Sequence, residues 1–166
     1  MDKEVFDFSI ESLGPCTIQS PIKFSLEHGD FTANYVSDDS YVINNINIYN
    51  TKDAIKLDSS NLIQKAGPRE KIYFDPKHAK AGICTCGGLC PGLNDVIRAI
   101  VRCLNTRYGV KTIKGYQYGY HGFFADSGYE PIELDRYLID EIHKIGGTYL
   151  GTSRGGGTRT SEIVDC

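Results

Sequence analysis

The sequence predicts an α/β fold: a mainly parallel sheet preceded by a small β-prone N-terminal extension. Three observations point there. Sixteen of the 18 glycines lie beyond position 66, and only Gly14 and Gly29 precede it. Charge divides at the same place, with five basic and ten acidic side chains in residues 1–66 and thirteen and eleven in 67–166. The second part alternates short apolar runs with helical stripes, the pattern of strands joined by crossover helices. The boundary is read near Lys65-Ala66-Gly67-Pro68, giving an extension over 1–66 and a main domain over 67–166.

The 166 residues carry 18 Lys+Arg against 21 Asp+Glu, a net charge of −3. That length suits one domain with an appendage and can build a core without staples. The mild acidity argues against a nucleic-acid binder, which needs a basic excess to neutralise phosphates. No stretch approaches the roughly 20 apolar residues of a membrane helix. Met1-Asp2-Lys3-Glu4-Val5 mixes charges with no apolar run, so no ordinary secretory signal is expected. The six Cys are therefore expected as thiols in a reducing cytosol.

In the extension, Phe31–Val36, Tyr41–Ile43 and Ile46–Tyr49 read as strands or extended segments among turn-forming Asn and Asp. Nothing there has the spacing of a chemical site. In the main domain, Lys80–Cys86 is a short apolar run ending in glycines, as a buried strand should. Asn94–Thr106 follows as a helix. Val96, Ile97, Ile100, Val101 and Leu104 form its apolar stripe, and Arg98, Arg102 and Arg107 mark the other face. Asn94 is the expected N-cap and Gly109 the stop. Lys111–Tyr116 is the next strand, Leu134–Lys144 a second helix, and Thr148–Gly151 a third short strand. Another helix starts near Thr158–Ser161. Such an order implies parallel strands with right-handed crossovers, and ligands then sit at their carboxyl ends.

Gly87-Gly88-Leu89-Cys90-Pro91-Gly92 joins the first strand to the first helix. Paired glycines let backbone approach a ligand, and the helix N-terminus favours an anion. A phosphate loop and a tight structural turn both fit these residues. The Walker and dinucleotide patterns do not: no Lys follows until Lys111, and the glycines are adjacent. Gly151-Thr152-Ser153-Arg154-Gly155-Gly156-Gly157 comes off the same predicted edge. An Arg there suits phosphate oxygens, because its fork donates two hydrogen bonds. Two glycine loops on one edge favour the phosphate reading over a solvated loop.

Cys84-x-Cys86-x-x-x-Cys90 invites a metal reading, with His78 as the nearest further ligand. Structural zinc pairs sit in knuckles with two to four intervening residues, so buried thiols filling a strand is the favoured reading. Cys90 as a nucleophile at a helix N-terminus lacks a nearby His, and His143 reads as a packing or surface residue. Tyr116, Tyr118, Tyr120, Phe123 and Phe124 read as a core-lining loop near a nucleotide base.

Three blocks together resemble the 6-phosphofructokinase family: Ala66–Glu70 with Ile83–Arg98, Gly115–Phe123, and Ile142–Gly156. The match resembles the long subgroup of plants and trypanosomatids, related in sequence to pyrophosphate-dependent enzymes and mostly using ATP. The resemblance implies the first part of a doubly wound, mainly parallel sheet, a phosphofructokinase-like nucleotide-binding half. It implies ATP-dependent phosphorylation of fructose 6-phosphate in glycolysis, in the cytoplasm, by a homo-oligomeric allosteric enzyme, a dimer or tetramer, with no nucleic-acid or membrane partner. Gly87, Arg154 and Gly155 match the family's phosphoryl-donor contacts. The Mg2+ loop and the catalytic base are expected beyond Cys166, leaving no catalytic residue and no metal ligand here. The chain is therefore expected to be a partial, truncated domain, inactive alone. A pyrophosphate-dependent enzyme and a non-catalytic nucleotide- or subunit-binding fragment are the alternatives.

Overall fold

The computed structural model describes residues 6–27, 29–47, 55, 57–155 and 159–164. The chain packs as two compact units, Met1–Tyr73 and Phe74–Cys166.

The first unit is built from two short antiparallel ribbons. β1 (Ile18–Gln19) pairs with β4 (Lys71–Ile72), and β2 (Tyr41–Ile43) pairs with β3 (Leu62–Gln64). Its joints are polar. The Arg69 guanidinium donates to the carbonyls of Val36, Ser37 and Lys65 and meets Asp38 at 3.3 Å. Gly67 lies against Val36, where a Cβ would fall 2.4 Å from a methyl. Tyr41–Ile43 is a strand, as its β-prone residues predict. Phe31–Val36 is not; it contributes one bridge, Asn34 to Ser25, and Phe31 is fully exposed. Of Ile46–Tyr49, Ile46 and Asn47 are irregular, and Ile48 and Tyr49 lie outside the described residues.

The second unit holds the α/β core. β5 (Lys80–Cys84) runs parallel to β6 (Thr112–Tyr116), in register from Lys80–Thr112 to Cys84–Tyr116. Between them runs α1 (Leu93–Arg102), continued by a π-helical turn, Cys103–Tyr108, that ends at Gly109 with φ 76°. The apolar stripe of α1 is only half used. Ile97 and Val101 are buried against Ile83, Ile113 and Ile139, while Val96 and Ile100 are exposed. Arg98 and Arg102 are tied down, with Asp140 at 3.4 and 3.7 Å.

The sheet departs from the all-parallel expectation. β7 (Ile132–Glu133), which the sequence reading missed, adds antiparallel to β6 through Lys114–Glu133 and Gly115–Ile132. Thr148–Gly151 forms no strand. Gly151 turns at φ 67°, and the Leu150 carbonyl instead accepts the Tyr118 amide. The helix expected over Leu134–Lys144 is a run of turns ending in a 3₁₀ turn, Ile142–Lys144. Leu134 is held by the sheet through its N–H to the Ile113 carbonyl. The Asp135 carboxylate accepts the amides of Tyr137 and Leu138 at 2.8 and 2.7 Å, a local bond that competes with a helix. α2 (Thr160–Val164) begins close to where the sequence predicts it.

Asn94 is not the N-cap; Gly92 is, at φ 88°. Asn94 lies inside α1 and is buried, donating to the Ile145 carbonyl at 2.8 Å and accepting the Tyr149 amide at 2.6 Å. It pins the returning chain across the helix start. Gly115 sits where Leu150 and Leu134 cross β6, and a Cβ there would fall 2.5 Å from Leu150.

The half-used stripe sets a contrast between neighbours. Ile97→Ala should destabilise by about 2–5 kcal/mol, as buried Ile truncations do. Val96→Ala should stay within roughly 0.5 kcal/mol, as exposed sites do. Urea unfolding of both variants measures this, and equal losses would contradict the packing described.

Candidate functional site

The two glycine loops meet at the carboxyl end of β5. Cys86 and Ser153 form an isolated parallel bridge. Beyond it, the Gly87 N–H donates to the Ser153 carbonyl at 2.7 Å, and the Thr152 hydroxyl donates to the Gly87 carbonyl at 2.9 Å. Both polar groups of Gly87 are thus used inside the protein. What Gly87 presents outward is space, since a Cβ there would meet nothing within 4 Å.

Polar side chains fix the joint from beneath. Thr85 is buried and donates to the Gly151 carbonyl at 2.5 Å, with the Thr148 hydroxyl at 3.1 Å. Ser153 donates from its hydroxyl to the Tyr118 carbonyl at 2.6 Å. This brings the turn after β6 into the same edge. Tyr118 adopts φ 55°, a left-handed conformation costly to a bulky residue, and its ring lies against Gly151. Gly119 follows at φ 64°, where a Cβ would sit 3.0 Å from Cys86 Sγ and Ser153 Oγ and 3.1 Å from the Thr85 carbonyl.

Arg154 and Gly155 follow Ser153 directly and are exposed, with Gly155 at φ 63°. Among the described residues, none bonds to the Arg154 side chain. Gly87, Arg154 and Gly155, chosen from the sequence, therefore converge on one edge. Residues 156–158 lie outside the described residues. Beyond them Arg159 anchors the chain again. Its guanidinium takes Asp126 at 3.1 and 3.0 Å and Glu162 at 2.8 and 2.5 Å, and covers the Phe124 ring at 4.1 Å. The sequence reading placed Ser153 in the second glycine loop and Tyr118 in a core-lining loop, although Tyr118 is exposed; it missed Thr85 and Arg159. Thr85 carried a signal, a hydroxyl on the buried face of a strand end; Arg159 needs the fold.

The helix N-terminus offers less to an anion than its dipole suggests, because Asp95 already places a carboxylate in the first turn. Cys84 and Cys86 lie with sulfurs 3.9 Å apart. Burial, and then the adjacent Cys86, push the Cys84 thiol up to about 11. Cys90 is exposed beside its own Pro91 carbonyl. His143 is exposed, and His78 pairs with Asp75 at 3.0 Å. Among the described residues, no three His, Cys, Asp or Glu side chains gather as a metal site, and no helix is long and apolar enough to cross a membrane.

A family model described as Phosphofructokinase matches residues 80–165. The chain is 46% identical over 163 residues to the ATP-dependent 6-phosphofructokinase of Borreliella burgdorferi, covering 98% of this chain and 35% of that protein. It is 57% identical over 103 residues to the chloroplastic ATP-dependent 6-phosphofructokinase 5 of Arabidopsis thaliana, covering 62% of this chain and 19% of that one. With the ATP-dependent 6-phosphofructokinase of Trypanosoma cruzi it shares 45% over 104 residues, 63% of this chain and 21% of that one. The chain spans about a fifth to a third of the length of these relatives.

Two expectations follow from the joint. Gly119→Ala should cost more than the roughly 1–2 kcal/mol of the left-handed backbone alone, because it also strikes the Thr85 carbonyl. Gly128→Ala, at φ 73° with open space around it, should cost only that backbone share. Urea unfolding compares them, and equal losses would contradict the close crossing.

The Arg159 clamp predicts a pH dependence. Hydrogen bonds from Arg159 hold Asp126 and Glu162 below their ordinary values of 3.8 and 4.5. A depressed carboxylate contributes fully above its ordinary value and is lost as pH falls through the depressed one. The protection factor of the Ile163 amide should thus stay flat down to about pH 4.5 and fall below it. Protection already falling near neutral pH would contradict the clamp.

Proposed function

We propose, because this chain belongs to the phosphofructokinase family, that it carries the phosphoryl-donor edge of an ATP-dependent 6-phosphofructokinase. The reaction is transfer of the terminal phosphoryl group of ATP to the 1-hydroxyl of fructose 6-phosphate, the committing step type of glycolysis. The observation that carries the reading is the Gly87–Ser153 joint: exposed Arg154 follows Ser153 directly, and Gly87 has open space where a Cβ would be. ATP as donor is supported by the names of the relatives.

Phosphoryl transfer asks a protein mainly to position the groups and neutralise their charge. Arg154 can give two parallel hydrogen bonds to phosphate oxygens. Gly87, with its N–H and carbonyl already engaged, serves as a wall that a phosphate can approach closely. Gly155 lets the chain turn away behind the guanidinium. Mg2+ is read as the cofactor, as the family resemblance implies, with ligands other than the described residues; it would neutralise charge on the transferring phosphates. The protein is read as cytoplasmic, in keeping with its free thiols at Cys84, Cys86 and Cys90. It is read as a homo-oligomer, a dimer or tetramer, regulated allosterically as the family resemblance implies.

The test uses the protein that carries this chain, assayed for fructose 6-phosphate phosphorylation with ATP and with pyrophosphate. Turnover with ATP supports the reading. Turnover with pyrophosphate alone overturns the donor, and nucleotide binding without turnover overturns the enzyme. Arg154→Lys keeps charge but loses the fork. Each lost charge-assisted bond removes about 1.5–3 kcal/mol, roughly tenfold to a hundredfold in turnover or donor Michaelis constant. If Arg154→Lys and Arg154→Ala both stay within about twofold of wild type, Arg154 is not a donor contact.

A further inference from the structure

We propose that Cys84 and Cys86 form a peroxide-sensitive dithiol that closes to a reversible disulfide at the root of the Gly87 loop. The geometry sets up the pair. Thr85 points inward, anchored to the Gly151 carbonyl and the Thr148 hydroxyl. Strand alternation then turns Cys84 and Cys86 to the same opposite face. Their sulfurs lie 3.9 Å apart. Two residues of strand span about 6.6 Å, near the upper limit of the Cα separations that disulfides accept. Closing the bond brings the sulfurs together by roughly 2 Å. Side-chain rotation supplies part of that movement. The rest falls on the backbone at Cys86, whose bridge to Ser153 joins the two loops. The bond is therefore reducible rather than a permanent staple.

The two thiols take different parts. Cys86 is exposed and meets the oxidant; Cys84 is half-buried. The Cys86 thiolate attacks one oxygen of hydrogen peroxide, the O–O bond breaks, and the departing hydroxide takes a proton to become water. Cys86 is then a sulfenic acid. The Cys84 sulfur gives up its proton and attacks the Cys86 sulfur. The S–O bond breaks, and the hydroxyl leaves with that proton as a second water. Two thiols lose two electrons in total, and the peroxide accepts them. Because Cys84 is held protonated at neutral pH, the closing step should quicken as pH rises.

Trypsin releases Ala81–Arg98 as one peptide carrying Cys84, Cys86 and Cys90. The chain is treated with hydrogen peroxide, blocked with a thiol reagent, digested and weighed. The expected product is a peptide lighter by two hydrogens with one blocked thiol, at Cys90, restored by dithiothreitol. Cys90→Ser should close at a rate within about twofold of wild type. Cys86→Ser should not close. Cys84→Ser should hold a sulfenic acid at Cys86 that reacts with dimedone. Three blocked thiols after excess peroxide overturn the proposal. So does a bond that vanishes in Cys90→Ser, which would make Cys90 the partner. Cysteine-to-serine exchange changes one atom at a strand end, and a circular dichroism melt for each variant checks that it folds.

Discussion

The hydrogen bond from the Gly87 amide to the Ser153 carbonyl, 2.7 Å long, is the contact on which the candidate site depends. It joins loops 66 residues apart in sequence without a strand between them. Around it, three hydroxyls find partners. Thr152 caps the Gly87 carbonyl, Ser153 reaches Tyr118, and Thr85 fastens Gly151 from the buried side. Buried and half-buried polar groups that are all satisfied fix a single arrangement, because any alternative leaves one without a partner. The same bonding excludes the Gly87 amide from ligand recognition. In the proposed donor site, the charge is left to Arg154 and the closeness of approach to Gly87.

The core beneath explains why the edge is where it is. Parallel β5 and β6 bring their carboxyl ends together, and α1 covers them through Ile97 and Val101. Asn94 then carries the returning chain over the helix start by bonding Ile145 and Tyr149. That return delivers Leu150 into the space left by Gly115. Ser153 lies three residues on. The edge is thus positioned by one buried amide and one missing Cβ as much as by strand pairing.

Much of this was legible in the sequence. The β5–α1–β6 unit follows from an apolar run, a helical stripe and the Gly109 stop. The glycine loop and Arg154 follow from glycines flanking a guanidinium at a predicted strand end, while Gly87 and Gly155 as individual donor contacts come from the family resemblance. What failed did so for local reasons. Leu134–Lys144 has helical spacing, but Asp135 bonds its own downstream amides and Leu134 belongs to the sheet edge. Thr148–Gly151 is apolar and β-prone, yet Gly151 turns the chain before a ladder forms. β7 is two residues long and antiparallel, too short to leave a periodic signal. Asn94 resembles a cap because cap residues are the ones that bond backbone. Here it bonds backbone from another segment, which no local pattern reveals.

The central claim is that the two loops form one rigid wall, with Arg154 as its charged element. A crystal structure of the protein that carries this chain, bound to a non-hydrolysable ATP analogue, tests it most directly. The account predicts Arg154 guanidinium nitrogens within about 3 Å of phosphate oxygens, with the Gly87 amide still bonded to the Ser153 carbonyl. A phosphate that takes the Gly87 amide for itself and parts the loops would contradict it, as would a nucleotide bound away from this edge.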